Sequence, residues 1–253
     1  QGFDPKIMSA NVSGDVKSAT YKGYTYQNMN LKGKINRGAY DIDLNSKDPN
    51  ANLHLAASGV YDEKNPTVKV KGNIYKLDVN KLGFYSSPMI VAGTIDGDFK
   101  SLDPDNLNGY LNLKDFAISD TKEVYPIQEV NLLAVSTADA TQIKFNSQIA
   151  DVELNGKYKL TQIFGALAQT VNQYYQFQKP GAAQKIDTGQ FFTVNATIKN
   201  DDLIRKFVPE LKSFETITIV GNYNADSQKI ELDAKIPQVL YGANTLENTN
   251  LKI

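Results

Sequence analysis

Apolar and polar residues alternate along most of this chain. From Lys6 to about Tyr158 the pattern recurs as Asp41-Ile42-Asp43-Leu44, Leu53-His54-Leu55, Val68-Lys69-Val70-Lys71 and Ile149-Ala150-Asp151-Val152-Glu153-Leu154. A period of two puts successive side chains on opposite faces, so these segments are strands with one apolar and one wet face. Turn formers cluster between them at 46–50, 62–66 and 101–106. The spacing predicts an all-β fold, a meander of many antiparallel strands. Alternation returns at Phe192 to Lys199, Glu215 to Tyr223, Lys229 to Ile236 and Leu246 to Ile253.

Within the alternation a five-residue unit recurs, apolar-x-Gly-x-apolar. It is centred on Gly14, Gly33, Gly72, Gly93, Gly109, Gly156 and Gly221. Each glycine shares a face with its two apolar neighbours and leaves that face without a side chain. Three readings fit. The glycines let a sheet bend tightly, or leave room for something lying against it, or are ordinary kinks in a β-sandwich that fills its own core. The intervals are irregular, a loose repeat rather than a solenoid of fixed period.

Two segments break the rhythm. From Thr161 to Phe177, the residues Ile163, Phe164, Leu167, Ala168, Val171, Tyr174 and Tyr175 recur at helical spacing, ahead of Pro180-Gly181. A shorter helix is expected near 201–212, capped by Asn200 or Asp201, aligning Leu203, Phe207 and Leu211, with Pro209 kinking or ending it. The implied organisation is a β region over 1–158, an amphipathic helix over 159–180, and a β continuation over 190–253.

Charge and composition exclude more than they assign. Lysine and arginine total 27 against 28 acids, with no block of like charge, so nucleic acid is not an expected partner. Cysteine is absent, which removes disulfides and thiolate chemistry. No stretch reaches the length of a membrane span. The first residues, Gln1-Gly2-Phe3-Asp4, and the last, Leu251-Lys252-Ile253, read as cuts within a longer pattern.

Catalytic signatures fail one by one. The single histidine, His54, lies between two leucines and points to their opposite face, with no acid or nucleophile assignable beside it. The run from Asp103 to Gly109 has Leu107 and Lys114 where a calcium loop needs ligands. Asp41/Asp43 and Asp96/Asp98 each share a face, as surface charges on strands commonly do. P-loop, GxGxxG, HExxH and GxSxG motifs are missing. The sequons at Asn11 and Asn195 fall in strands. No enzyme, cofactor or metal site is expected.

Three phrases carry a resemblance: LDPDNLNGYLNLKDF at Leu102–Phe116, VELNGKYKLTQI at Val152–Ile163 and DLIRKFVPEL at Asp202–Leu211. They resemble the periplasmic part of the TamB family, the AsmA-like translocation and assembly modules, in the form found in Bacteroidetes. The resemblance implies an elongated curled antiparallel sheet, the β-taco, a U-shaped trough with an apolar interior. It also implies a full-length protein anchored in the inner membrane, crossing the periplasm to an outer-membrane partner of the Omp85 class. Phospholipid transport and outer-membrane protein assembly are the implied functions. The helix at 161–177 departs from that pattern and would plug or cap the trough.

On this reading phospholipid acyl chains lie against Leu31, Ile35, Val70, Ile74, Val91, Ile95, Leu107, Leu111, Leu154, Tyr158, Ile219 and Tyr223. The segment itself is expected to be soluble and monomeric. The alternatives are a chaperone or scaffold that takes up outer-membrane protein strands by β-augmentation, and a self-filled β-sandwich that binds carbohydrate on some of its fourteen tyrosines.

Overall fold

The computed structural model describes residues 6–174 and 186–252. Antiparallel sheet dominates, with two helices among the described residues. The chain forms two compact units. The first holds 1–103 and 108–131, the second 104–107 and 132–253.

The first unit is a meander: β1 (Ser9–Tyr21), β2 (Tyr24–Asn36), β3 (Ala39–Lys47), β4 (Ala51–Val60), β5 (Thr67–Asp78), β6 (Ile90–Ser101), β7 (Asn108–Ser119) and the start of β8 (Val124–Ser136). Each strand pairs with the next in sequence. The turns follow local chemistry. Lys22-Gly23 and Arg37-Gly38 place two successive residues at positive φ, the geometry whose twist matches a two-residue hairpin. At 61–66 the Asp62 carboxylate accepts from the backbone N–H groups of Lys64 and Asn65, and Asp120 does the same for Lys122 and Glu123.

The second unit contains the end of β8, then β9 (Thr141–Ser147), β10 (Ala150–Lys157), α1 (Leu160–Tyr174), β11 (Phe191–Ile198), α2 (Asp202–Phe207), β12 (Leu211–Phe214), β13 (Ile217–Asn224), β14 (Lys229–Tyr241) and β15 (Asn244–Lys252). Strands β12 and β13 act as one interrupted strand. Phe214 faces Val239, Glu215 donates to Gln238, and Thr218 faces Lys235, all in one register. Strand β15 pairs along β14 opposite both halves, so it takes the remaining edge.

Helix α1 covers one end of this sheet's apolar face. Ala166 is buried with Tyr158, Phe192 and Tyr223, and Ile163 and Leu167 pack against that group. The Asp105 carboxylate accepts from both the N–H and the hydroxyl of Thr161, capping the helix from another segment. The expected stripe is rotated. Phe164, assigned to it, is 84% exposed, whereas Ala166 and Thr170 are buried. The Thr170 hydroxyl meets the Tyr223 hydroxyl at 3.4 Å, which turns that face inward. The side chains of Val171 and Tyr174, and Tyr175 to Phe177 altogether, lie outside the described residues.

Helix α2 is shorter than its sequence stripe. Asp201 caps it by accepting from the Leu203 N–H, and it ends before Pro209. A proline disfavours helical geometry in the residue before it, here Val208 at φ −125 and ψ 77. Leu211 therefore opens β12 instead of extending the helix.

Candidate functional site

Cross-strand register shows which residues share a face, because directly opposed residues point the same way. In the first unit one row joins Val12, Gly33, Ile42, Ala57, Val70, Gly97 and Leu111. The next joins Gly14, Leu31, Leu44, Leu55, Gly72, Ile95 and Leu113. A third carries Ala10, Ile35, Tyr40, Gly59, Val68, Phe99 and Gly109. The fourth carries Val16, Met29, Ser46, Leu53, Ile74 and Gly93. Only Ser46 and Tyr40 in these rows bring a polar atom. Rows on one face lie two residues apart and strands about 4.8 Å apart, so three rows over seven strands and a fourth over six make an apolar face of about 20 Å by 29 Å at its widest.

Among the described residues of the first unit no second layer covers this face. Among the described residues of the first unit the buried apolar side chains are Ala51, Leu53, Leu82, Phe99 and Ile127, and most of the row residues are half-buried. The described residues of this unit thus bury few apolar side chains fully, where a sandwich closed on its own core would bury many.

The glycines serve close strand approach. A Cβ on Gly72 would lie 2.0 Å from the His54 carbonyl oxygen, on Gly109 2.2 Å from that of Asp98, and on Gly156 2.1 Å from that of Phe191. At Gly93 it would lie 2.4 Å from the Phe116 ring, and at Gly221 2.8 Å from the Glu231 oxygen. These positions leave no room for a guest; the neighbouring strand fills the space, as a sheet curling toward that face requires. Gly33 has ordinary contacts, and Gly14 has nothing within 4 Å.

Of the expected lining, Leu31, Ile35, Val70, Ile74, Ile95 and Leu111 lie in the four rows. Val91 opposes Leu77 and Ile118 in continuation of them. Leu107 follows a short 3-10 turn in the second unit, and its carbonyl accepts from Ser136. Ile219 belongs to the second unit's row of Phe145, Val152, Ala196, Ala234 and Leu251. Tyr158 and Tyr223 are each 5% exposed beneath α1, and Leu154 packs on the same cluster. These two tyrosines are therefore core and not open lining. Burial pushes the Tyr158 hydroxyl up to about 12. Gly97 and its row-mate Ile42, with Leu44, Leu55 and Leu113 of the next row, belong to this face although the sequence reading did not place them in the lining. Ile95-Asp96-Gly97-Asp98-Phe99 repeats the same unit, and the row-mates emerge only once register is known.

The opposite face of the first unit is charged in alternation. Lys32 faces Asp43, and Lys71 faces Asp96 with an ion pair at 3.6 Å. His54 sits there, 3.1 Å from Asp43 on the next strand. Lys100 pairs with Asp98 at 2.9 Å, which leaves both aspartate pairs in surface contacts. In the second unit the polar face forms an open cleft of about 740 Å³ lined by Glu153, Asn155, Thr193, Asn195, Asn222, Glu231, Asp233 and Lys252 among others.

Among the described residues no cluster of His, Asp and Glu could hold a metal, and no helix is long and apolar enough to cross a membrane. Compared with family models, characterised proteins and solved structures, the chain matches none.

Proposed function

We propose that the first unit carries phospholipid acyl chains on its apolar face, as a segment of a TamB-like bridge between inner and outer membranes. The observation that supports this most is the continuous four-row apolar face, which no layer covers among the described residues of its unit. A bilayer's hydrocarbon core is about 30 Å thick, so one leaflet's acyl chains, about 15 Å long, fit within the face. Apolar contact is non-directional and scales with area, so a chain on a uniform strip moves between positions with little barrier. Transfer is then a slide, with the head group in water and no residue-specific chemistry. In the second unit α1 closes one end of the apolar face, which restricts the open strip there to the rows away from Tyr158 and Tyr223.

Native mass spectrometry on the protein purified from bacterial cells tests this. Bound phospholipid is expected, and Ile74→Asp with Ile95→Asp is expected to remove it while circular dichroism stays that of folded sheet. A folded wild-type protein that carries no lipid would overturn the proposal.

A second reading draws on sheet edges. Among the described residues β1 pairs with β2 alone and β15 with β14 alone, so each presents backbone donors and acceptors to a client strand. The Glu247 N–H points off the sheet, since Glu247 and Gln238 form a non-hydrogen-bonded pair three steps from the two-residue turn, so proline at Glu247 should weaken binding of an unfolded outer-membrane protein and spare lipid; unchanged client binding removes this reading.

A further inference from the structure

We infer that the end of the first unit formed by the β1–β2 turn and the β5–β6 connection docks on an anionic lipid surface. The inference rests on the lipid-carrying reading and names where lipid would enter.

The two connections lie near each other. A Cβ placed on Gly83 would lie 4.0 Å from the Lys22 carbonyl oxygen. Both tips carry exposed aromatics: Tyr21 is 60% exposed, Phe84 57% and Tyr85 43%. The Lys22 ammonium lies over the Tyr21 ring, 5.6 Å from its centre.

The aromatics of the β5–β6 connection are held out by a built loop. Leu82 is buried at 1% and anchors it. The N–H groups of Phe84 and Tyr85 both donate to the Val79 carbonyl, and the Asn80 amide donates to the carbonyls of Tyr85 and Ser86. A loop ordered before contact loses little entropy on docking, so its exposed rings are available to a partner at small cost.

Charge decides which partner. Lys22 and Lys81 are exposed at the tips, and Lys47 faces Asn52, which faces Lys76, along the adjoining polar face. The acids at this end are withdrawn. Asp48 is buried under four donors, from Tyr24, Gln27, Asn50 and Ala51, and Asp78 is buried and takes up the N–H and ammonium of Lys81. Exposed acids return toward the β7–β8 turn, with Asp115 and Glu123, and Asp120 there is half-buried. Amphipathic rings among lysines suit a bilayer interface, where rings sit at head-group level and ammonium groups meet anionic lipid. Leu77, Val91 and Ile118 lie nearest this end, next to the row of Met29, Leu53 and Ile74, so a chain leaving the bilayer meets apolar surface directly.

Vesicle flotation with the whole chain tests the inference, using phosphatidylglycerol–phosphatidylcholine vesicles against phosphatidylcholine alone. The wild type should float with the anionic vesicles at low salt. One lysine near an anionic surface is worth about fivefold in partition, so Lys22→Gln should weaken binding about fivefold. Tyr21→Ser with Phe84→Ser should lose binding while keeping the fold by circular dichroism. A wild type that stays unbound, or variants that float as well as it does, would overturn the inference. Flotation failing while phospholipid is retained in native mass spectrometry refutes the docking surface alone; flotation without retained lipid refutes the carrying reading and keeps the surface.

Discussion

Replacing Gly72 by alanine, with Gly14→Ala as its control, tests why this sheet is built on glycines. The added methyl at Gly72 would lie 2.0 Å from the His54 oxygen and 2.9 Å from the Leu55 Cα. Both are backbone atoms, so relief needs β4 and β5 to separate by about 1 Å, and overpacking of this kind costs about 1–3 kcal/mol. The backbone at Gly72, at φ +159, is close to extended, so the penalty is contact rather than torsion. At Gly14 nothing lies within 4 Å, and alanine should be neutral or stabilise by about 0.4–1 kcal/mol through the unfolded chain. For a chain of this size each kcal/mol moves the midpoint about 2–4 °C, so thermal melts should place Gly72→Ala about 2–12 °C below wild type and Gly14→Ala at or slightly above it. Equal melting of the two variants would refute close strand approach as the role of the central glycines.

Other outcomes follow from named contacts. Burial raises the Asp48 carboxyl, but bonds from the Tyr24 hydroxyl and the N–H groups of Asn50, Gln27 and Ala51 outweigh it and hold the group below its ordinary value. A depressed folded value means stability present above about pH 3.9 and lost as pH falls through the folded value. Urea midpoints of the wild type should therefore fall in that acid window, and Asp48→Asn should be less stable at neutral pH and flat across it; parallel pH curves would contradict this. Asp105→Ala removes the cap on Thr161 and should cost about 1 kcal/mol, read as faster amide exchange in the first turn of α1. His54→Ala breaks only an exposed pair with Asp43, so its urea midpoint should stay within about 0.5 kcal/mol of wild type; a larger loss would mean a structural role.

The sheet was legible because alternation is a local signal. Asp41 to Leu44 and Val68 to Lys71 state their two faces outright, and the turns at 46–50 and 62–66 carry residues with a mechanism for turning. The Pro209 stop for α2 was also readable, yet Leu211 was drawn into the helix because a periodic apolar residue does not announce the change of period. The face of α1 was harder. Phe164 and Ala166 are both apolar, and only the tertiary partner Tyr223 decides which turns inward. Register was out of reach: the opposition of Leu55, Gly72 and Ile95 depends on turn lengths and on the bulge between Ile74 and Leu77. For that reason the glycine units are visible in the sequence while three roles fit them, and Tyr158 and Tyr223 read as open lining although α1 covers them.

Face-resolved photo-crosslinking tests the central claim most directly. A photoreactive side chain would replace Val70 or Ile95 on the apolar face, and Lys71 or Thr94 on the polar face of the same strands. After irradiation in bacterial cells, lipid adducts are expected by mass spectrometry at Val70 and Ile95 and absent at Lys71 and Thr94. Adducts on both faces alike, or on neither, would contradict an acyl-carrying face.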